Sequence, residues 1–171
     1  MNLLKPCIFG VAVLITAIFM GCSTSNKSQT FEVGNQTFLL DGKPFIIKAA
    51  EMHYTRIPAE YWEHRIQMCK ALGMNTICIY AFWNIHEQRP GEFDFKGQND
   101  IAEFCRLAQK NGMYIMLRPG PYVCSEWEMG GLPWWLLKKK DIQLRTNDPY
   151  FLERTKLFMN EIGKQLADLQ A

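Results

Sequence analysis

The sequence predicts an α/β fold in which about three strand–helix units follow one another along the chain. Short apolar runs recur and end in polar segments rich in aromatic residues. Between them lie stretches with apolar residues three or four positions apart, and Gly or Pro residues separate the two kinds of segment. Alternation of this kind is typical of a parallel sheet with helices packed outside it.

The first elements are predicted to be a hairpin and a strand. Residues 38–40 and 45–47 are apolar and flank Asp41-Gly42-Lys43, whose Asp-Gly pair favours a tight turn. The second apolar run continues to Ala50, so one strand is expected from Phe45 to Ala50.

Three helices are predicted from their start and stop signals. The first begins near Pro58 and ends at Gly73. The second begins at Asp100, and the third begins at Asp148 before a proline. The apolar stripe of the first helix is Trp62, Ile66, Cys69 and Leu72.

Two further apolar runs are predicted to be buried strands. Residues 76–82 are almost continuously apolar, as expected for a strand covered on both faces. Residues 114–117 form the next strand and lead into residues 118–133, a loop rich in Pro, Gly and aromatic residues that also carries Glu126 and Glu128.

Two architectures fit this order of elements: an open doubly wound sheet and a closed (β/α)8 barrel. No G-x-G-x-x-G motif follows the first strand, which disfavours a dinucleotide-binding sheet. Each strand enters a long polar loop, which favours the barrel. A complete barrel typically needs about 250 residues, so this α/β chain is expected to be the N-terminal, truncated part of a TIM barrel with about three βα units.

The N-terminal residues predict export. Residues 1–21 resemble a lipoprotein-type signal peptide, with basic Lys5 and an apolar stretch over residues 8–20 that is short for a membrane span of about 20 residues. Cleavage before Cys22 would leave that residue lipidated, and a plain signal peptide cleaved nearby is the alternative. Residues 22–30 are predicted to be a flexible tether, and residues 31–171 the barrel part. The expected location is therefore a membrane-anchored lipoprotein, periplasmic or at the cell surface.

Charge and cysteine content exclude several classes of function. The net charge is +2, so nucleic acid is not an expected partner. The cysteines beyond residue 22 show no C-x-x-C spacing, so neither a metal site nor a redox pair is expected. Those cysteines are Cys69, Cys78, Cys105 and Cys124.

Three predicted strand ends carry the residues with chemistry. Residues 51–54, 80–87 and 121–128 combine aromatic rings with hydrogen-bonding groups, which is what a sugar requires. A surface loop that holds two glutamates by chance is the plainer interpretation of the third segment. His86-Glu87 lacks zinc-site spacing, and Trp134 and Trp135 fit core packing as well as a sugar platform.

Together these segments resemble glycoside hydrolase family 35, the β-galactosidases, from about Phe31 onward. The run at residues 118–133 is specific to that family, whereas Pro-Gly-x-Phe-Asp-Phe also occurs in related family 42. The segments are Glu-Met-His-Tyr-Thr-Arg at 51–56, Tyr-Ala-Phe-Trp-Asn-Ile-His-Glu at 80–87, Pro-Gly-Glu-Phe-Asp-Phe at 90–95 and Arg-Pro-Gly-Pro-Tyr-Val-Cys-Ser-Glu-Trp-Glu-Met-Gly-Gly-Leu-Pro at 118–133.

The resemblance implies a retaining, exo-acting hydrolase that removes terminal β-linked galactose on a (β/α)8 barrel without a cofactor. It implies that Tyr80, Cys124, Ser125 and Glu126 bind the galactose hydroxyls. The family's acid/base lies in an Asn-Glu-Tyr motif after the fourth strand, and its nucleophile lies near the seventh. The sequence contains no such motif, so no catalytic residue is assigned, and this chain is expected to be inactive alone.

Two alternatives remain open at this stage. One is a non-catalytic, sugar-binding surface lipoprotein. The other is a related glycosidase of the same clan that acts on a different β-glycoside. In each case the expected partners are a carbohydrate and, through the N-terminal lipid, a membrane.

Overall fold

The computed structural model describes residues 29–170. The predicted signal peptide, Cys22 and most of the predicted tether lie outside the described residues. The strands are β1 (Phe31–Val33), β2 (Phe38–Leu40), β3 (Lys43–Phe45), β4 (Ala49–Glu51), β5 (Thr76–Tyr80) and β6 (Tyr114–Arg118). The helices are α1 (Trp62–Ala71), α2 (Trp83–His86), α3 (Ile101–Lys110) and α4 (Pro149–Leu166), with short 3-10 turns between them.

The first three strands form an antiparallel meander in the order β1-β2-β3. Phe38 pairs with Phe45 and Leu40 pairs with Lys43, so the predicted hairpin is present. Its turn residues Asp41 and Gly42 both have positive φ angles, 50° and 73°, as a tight hairpin turn requires.

The single strand predicted from Phe45 to Ala50 is wrong, because the chain changes sheets there. β3 ends at Phe45 in the meander, whereas β4 begins at Ala49 in a second sheet. The Asn75 side chain bonds to the backbone between them, accepting from Lys48 N at 2.9 Å and donating to Ile46 O at 2.8 Å. These connecting groups are thus satisfied without a strand partner.

The second sheet is parallel, with the order β4-β5-β6. Every residue of the central strand β5 is buried, as its apolar sequence predicts. β6 is only half-buried, and Met116 is 38% exposed. Within residues 29–170 the β6 strand has a partner on one side alone, which explains why the burial predicted from its composition is incomplete.

Two of the three predicted helices begin as predicted, whereas α1 begins at Trp62, after a 3-10 turn over Ala59–Tyr61 that follows Pro58. Asp100 accepts from Glu103 N at 2.8 Å at the start of α3, and Asp148 accepts from Phe151 N at 3.0 Å at the start of α4. Leu72, predicted on the buried stripe of α1, is instead exposed because that helix ends at Ala71.

The core lies between the parallel sheet and its helices. Aromatic rings dominate it: Trp83 stacks on Phe158 at 5.2 Å between ring centroids, and Trp62 meets Phe104 edge-on at 5.5 Å. Cys105 belongs to this core, and burial raises the pKa of its thiol to about 12. It therefore behaves as a small hydrophobe.

His86 is fully buried in a fixed tautomer. The Asp94 carbonyl lies 2.9 Å from Nδ1 and can only accept, so Nδ1 carries the hydrogen. Nε2 then accepts from the Tyr54 hydroxyl at 2.5 Å. Burial lowers the pKa of His86 from 6.5 to about 4, so the ring is neutral and structural.

The buried His86 should make folding stability depend on pH. The unfolded chain binds a proton near pH 6.5 and the folded chain only near pH 4. Neutral His86 therefore causes no loss of stability well above pH 6.5. The free energy of unfolding should fall by about 2–3 kcal/mol between pH 7.5 and pH 4.5, because the unfolded chain gains a proton that the folded chain does not. Urea unfolding of the native chain at both pH values measures this change.

Two variants isolate the contribution of this residue. In His86→Gln, the free energy of unfolding should no longer show this fall of about 2–3 kcal/mol between pH 7.5 and pH 4.5. The control His64→Gln, which changes an exposed histidine, should still show it. An unchanged pH dependence in His86→Gln would contradict the assignment.

Candidate functional site

The carboxyl ends of the three parallel strands bring polar side chains together. Glu51 is the last residue of β4, Tyr80 of β5 and Arg118 of β6. The register pairs Glu51 with Cys78 and Tyr80 with Arg118, so all three side chains reach one edge of the sheet. This edge is where barrel enzymes place their active sites.

Tyr80 lies at the centre of a hydrogen-bond chain. Its hydroxyl donates to Glu51 Oε2 at 2.6 Å and accepts from Arg118 Nη1 at 2.5 Å. The Arg118 guanidinium also lies 4.6 Å from the centroid of the Tyr80 ring. Because the phenol has already donated its only hydrogen, its remaining capacity is to accept one from a ligand.

The ionisation of these groups follows from the same contacts. The Tyr80 hydrogen bond is the main cause that lowers the pKa of Glu51, with smaller help from His53, and it outweighs desolvation. Burial is the main cause that raises the pKa of Tyr80. At neutral pH the pair is therefore a carboxylate and a neutral phenol.

His53 completes the aromatic side of the site. The ring is half-buried, lies 5.2 Å edge-on from both Tyr80 and Phe82, and places Nε2 3.4 Å from Glu51 Oε1. These contacts make it a structural neighbour of Glu51 and Tyr80.

The loop after β6 has an unusual backbone. Cys124, Ser125 and Glu126 are consecutive and all have positive φ angles, 62°, 51° and 46°. Non-glycine residues rarely adopt this conformation, and a run of three needs support from surrounding contacts. Val123 N donates to Gly130 O at 2.8 Å and closes the base of the loop.

Gly130 shows how tightly the loop is packed. A Cβ atom at this position would lie 2.1 Å from the Tyr122 ring, and the φ angle is +61°. Only glycine is compatible with both conditions.

The four sequence-predicted sugar ligands occupy two environments. Tyr80 and Ser125 are buried, and the Ser125 hydroxyl donates to Val123 O at 3.3 Å. Cys124 and Glu126 are exposed on the same loop. The structure thus buries Tyr80 and Ser125, with exposed Cys124 and Glu126 on either side of Ser125 along the loop.

Arg56 holds this loop from the first strand end. Its Nη2 donates to the backbone oxygen of Glu126 at 2.9 Å, and its guanidinium lies 4.5 Å above the Trp127 ring. Trp127 packs on Phe82 at 4.2 Å and donates from Nε1 to Asn84 Oδ1 at 3.0 Å. Loops from all three strand ends therefore meet at Trp127.

Sequence reasoning does not assign a role to several residues of this arrangement, among them the charged side chains of Glu51, Arg56 and Arg118. The available signal was their position at or just after a strand end, in the same segments that carry the family resemblance. Strand-end position does not reveal which side chains touch, and in the first two segments the family resemblance implies a role for Tyr80 alone.

We call Glu51, Tyr80 and Arg118 the strand-end cluster. Beside it lies an open cavity of about 730 Å³. Arg56, Asn84, Trp127 and Trp134 contribute to its wall, whereas Tyr80 and the three predicted ligands of the β6 loop do not. The size is in the range of small-molecule sites, about 300–1,000 Å³.

Glu87 is a fully buried carboxylate behind the site. Oε2 accepts from Trp83 Nε1 at 2.6 Å, and Oε1 accepts from Gly91 N at 2.7 Å and from Arg154 of α4. The Glu87 backbone oxygen accepts from Trp135 Nε1 at 2.8 Å. Glu87 is therefore a structural group, and Trp135 belongs to the core.

Residues 29–170 contain no group of three or more His, Cys, Asp or Glu side chains arranged to hold a metal ion.

Within the same described range, none of the helices combines the length and the apolar character needed to cross a bilayer.

Solved structures share this fold at low sequence identity. An exo-beta-1,4-mannosidase from Opitutaceae bacterium strain TAV5 matches with a TM-score of 0.62 and 22% identity, over 75% of this chain and 23% of that one. The GH5_18 protein from Streptomyces cattleya matches with a TM-score of 0.59 and 14% identity, over 71% and 31%. These matches concern the fold alone, and they confirm the predicted N-terminal part of a (β/α)8 barrel.

Curated relatives match at much higher identity. The beta-galactosidase of Xanthomonas manihotis is 40% identical over 166 residues, which is 97% of this chain and 27% of that protein. The Bos taurus beta-galactosidase is 43% identical over 147 residues, which is 83% of this chain and 22% of that protein. The Homo sapiens beta-galactosidase is 42% identical over 145 residues, which is 82% of this chain and 21% of that protein. The chain thus spans about a quarter of the length of these relatives.

The family assignment covers nearly all of the described fold. The profile described as "Glycosyl hydrolases family 35" matches residues 37–171, which include the three strand ends and the loop after β6. Since the same residues align with the β-galactosidases above, this chain belongs to family 35 of the glycosyl hydrolases.

Proposed function

We propose that this chain is the sugar-holding part of a retaining, exo-acting β-galactosidase that removes terminal β-linked galactose. The single observation that supports this most is the Arg118–Tyr80–Glu51 hydrogen-bond chain at the strand ends, next to buried Ser125. The similarity to the β-galactosidases of Xanthomonas manihotis and Bos taurus supports the same activity.

The remaining hydrogen-bonding capacity of the Tyr80 phenol oxygen, which is to accept a hydrogen, suits a sugar hydroxyl. Its phenol donates to Glu51, so a galactose hydroxyl in contact with it must act as the donor. The exposed Glu126 carboxylate is also an acceptor and binds hydroxyl donors by charge-assisted hydrogen bonds. Both groups would thus favour a ligand that presents several hydroxyls, with Cys124 and Ser125 between them.

The bond-breaking step needs groups beyond these. A retaining glycosidase uses two carboxylates about 5–5.5 Å apart, one as acid/base and one as nucleophile. The family carries these in motifs that this sequence does not contain. In this proposal the described residues bind and orient galactose, and hydrolysis requires carboxylates from outside them.

Galactose binding tests the proposed site directly. Methyl β-D-galactopyranoside should bind the native chain, and Glu126→Ala should weaken binding by about tenfold or more, because a charge-assisted hydrogen bond is lost. Isothermal titration calorimetry measures both affinities.

Glu128→Ala is the matched control, since this exposed carboxylate lies two residues away on the same loop. Equal loss of affinity in the two variants, or none in Glu126→Ala, would contradict the assignment.

The purified 171-residue chain should not hydrolyse an aryl β-galactoside. Release of p-nitrophenol from p-nitrophenyl β-D-galactopyranoside, followed at 1 mM substrate or higher, should remain at the level of a no-protein blank. Turnover clearly above that blank would place a catalytic pair within this chain and overturn the division of roles.

We also propose export with a lipid anchor at Cys22, supported by the sequence of residues 1–22. In a bacterial host, labelled palmitate should be incorporated into the native chain and not into Cys22→Ala, with Cys124→Ala as the control for a second exposed thiol. Labelling that persists in Cys22→Ala would exclude this anchor.

A further inference from the structure

Two adjacent tryptophans differ in exposure although they lie in one short 3-10 helix, Trp134–Lys138. Trp135 is 2% exposed and bonds to the backbone of Glu87, so it has a clear role in the core. Trp134 is 53% exposed and lines the cavity beside the strand-end cluster. Its indole is therefore presented to a ligand-sized space, with Lys138 Nζ 4.6 Å from the ring centroid.

The cavity wall includes Arg56 and Trp127, two residues that support the loop of the proposed galactose site. Arg56 lines the cavity and also holds the backbone oxygen of Glu126. Trp127 lines the cavity and packs on Phe82, whose ring lies 5.9 Å from that of Tyr80. A ligand that extends from the galactose site past Trp127 would enter this cavity.

The chemistry of the wall favours a neutral, hydroxyl-rich ligand. Asn84 accepts from Trp127 through Oδ1, which leaves its amide hydrogens to donate, and Gln88 adds a second amide. The two cationic side chains are already engaged: Arg56 by the β6 loop, and Arg89 by Glu92 at 3.7 Å. Glu128 on the same wall adds negative charge, which disfavours a phosphate group.

We propose that this cavity binds the second sugar of the substrate, the residue on the leaving-group side of the galactosidic bond, and that Trp134 is its stacking surface. The inference rests on the proposed function, because the first sugar must be galactose held by Tyr80, Ser125 and Glu126. Trp134 then determines specificity for a saccharide leaving group over a small one.

A comparison of two probes on the full 171-residue chain tests this inference. Lactose carries a second sugar and methyl β-D-galactopyranoside does not. Calorimetry should show that the native chain binds lactose about three- to tenfold more tightly, as expected for one aromatic stacking contact. Trp134→Ala should lower the lactose affinity to that of the methyl galactoside and leave the latter unchanged.

Two variants control for structural effects. Trp134→Phe retains a ring and should keep most of the preference. Leu137→Ala removes an apolar side chain that is 56% exposed on the same 3-10 helix and outside the cavity wall, and it should change neither affinity.

The outcomes separate the two proposals. Equal affinity of the native chain for both probes would overturn the second-sugar site and leave the galactose site standing. Equal weakening of both probes by Trp134→Ala would show a general structural role and also overturn it. No affinity for methyl β-D-galactopyranoside in the native chain would count against the galactose site, and against the second-sugar site with it.

Discussion

A buried carboxylate organises the part of the structure that carries the site. Glu87 is fully buried, so its charge must be compensated by hydrogen bonds and by an opposite charge. Trp83, the backbone of Gly91 and Arg154 of α4 provide this, and Trp135 from the loop after β6 bonds to its backbone. One residue thus joins the segment after β5, the long loop after β6 and the helix that follows it.

The strand-end cluster depends on this arrangement. The loop after β6 must hold three consecutive residues at positive φ, which requires contacts on more than one side. Trp135 fixes the far end of the loop through Glu87, whereas Arg56 and Trp127 fix its near end against the first two strand ends. Ser125 is then buried beside Tyr80, and Glu126 remains exposed.

Much of the fold could be predicted because its signals are local. Asp-Gly at 41–42 determines a hairpin turn, and the carboxylates of Asp100 and Asp148 bond to backbone amides three residues later. The predictions were wrong where contacts with residues distant in the sequence determine the local structure. The run from Phe45 to Ala50 looks continuous, but its two ends pair with strands of different sheets. Composition alone carries no information about those partners.

By itself, the sequence determined the alternation of strands and helices, the family, and the segments in which the site lies. Motifs and periodicity are properties of neighbouring residues, so they can be recognised without coordinates. Only the tertiary structure decided that Tyr80 donates to Glu51 and accepts from Arg118, and that Trp135 is buried while Trp134 faces a cavity. Those relations join residues tens of positions apart, and they depend on sheet register and on the packing of loops from different strands.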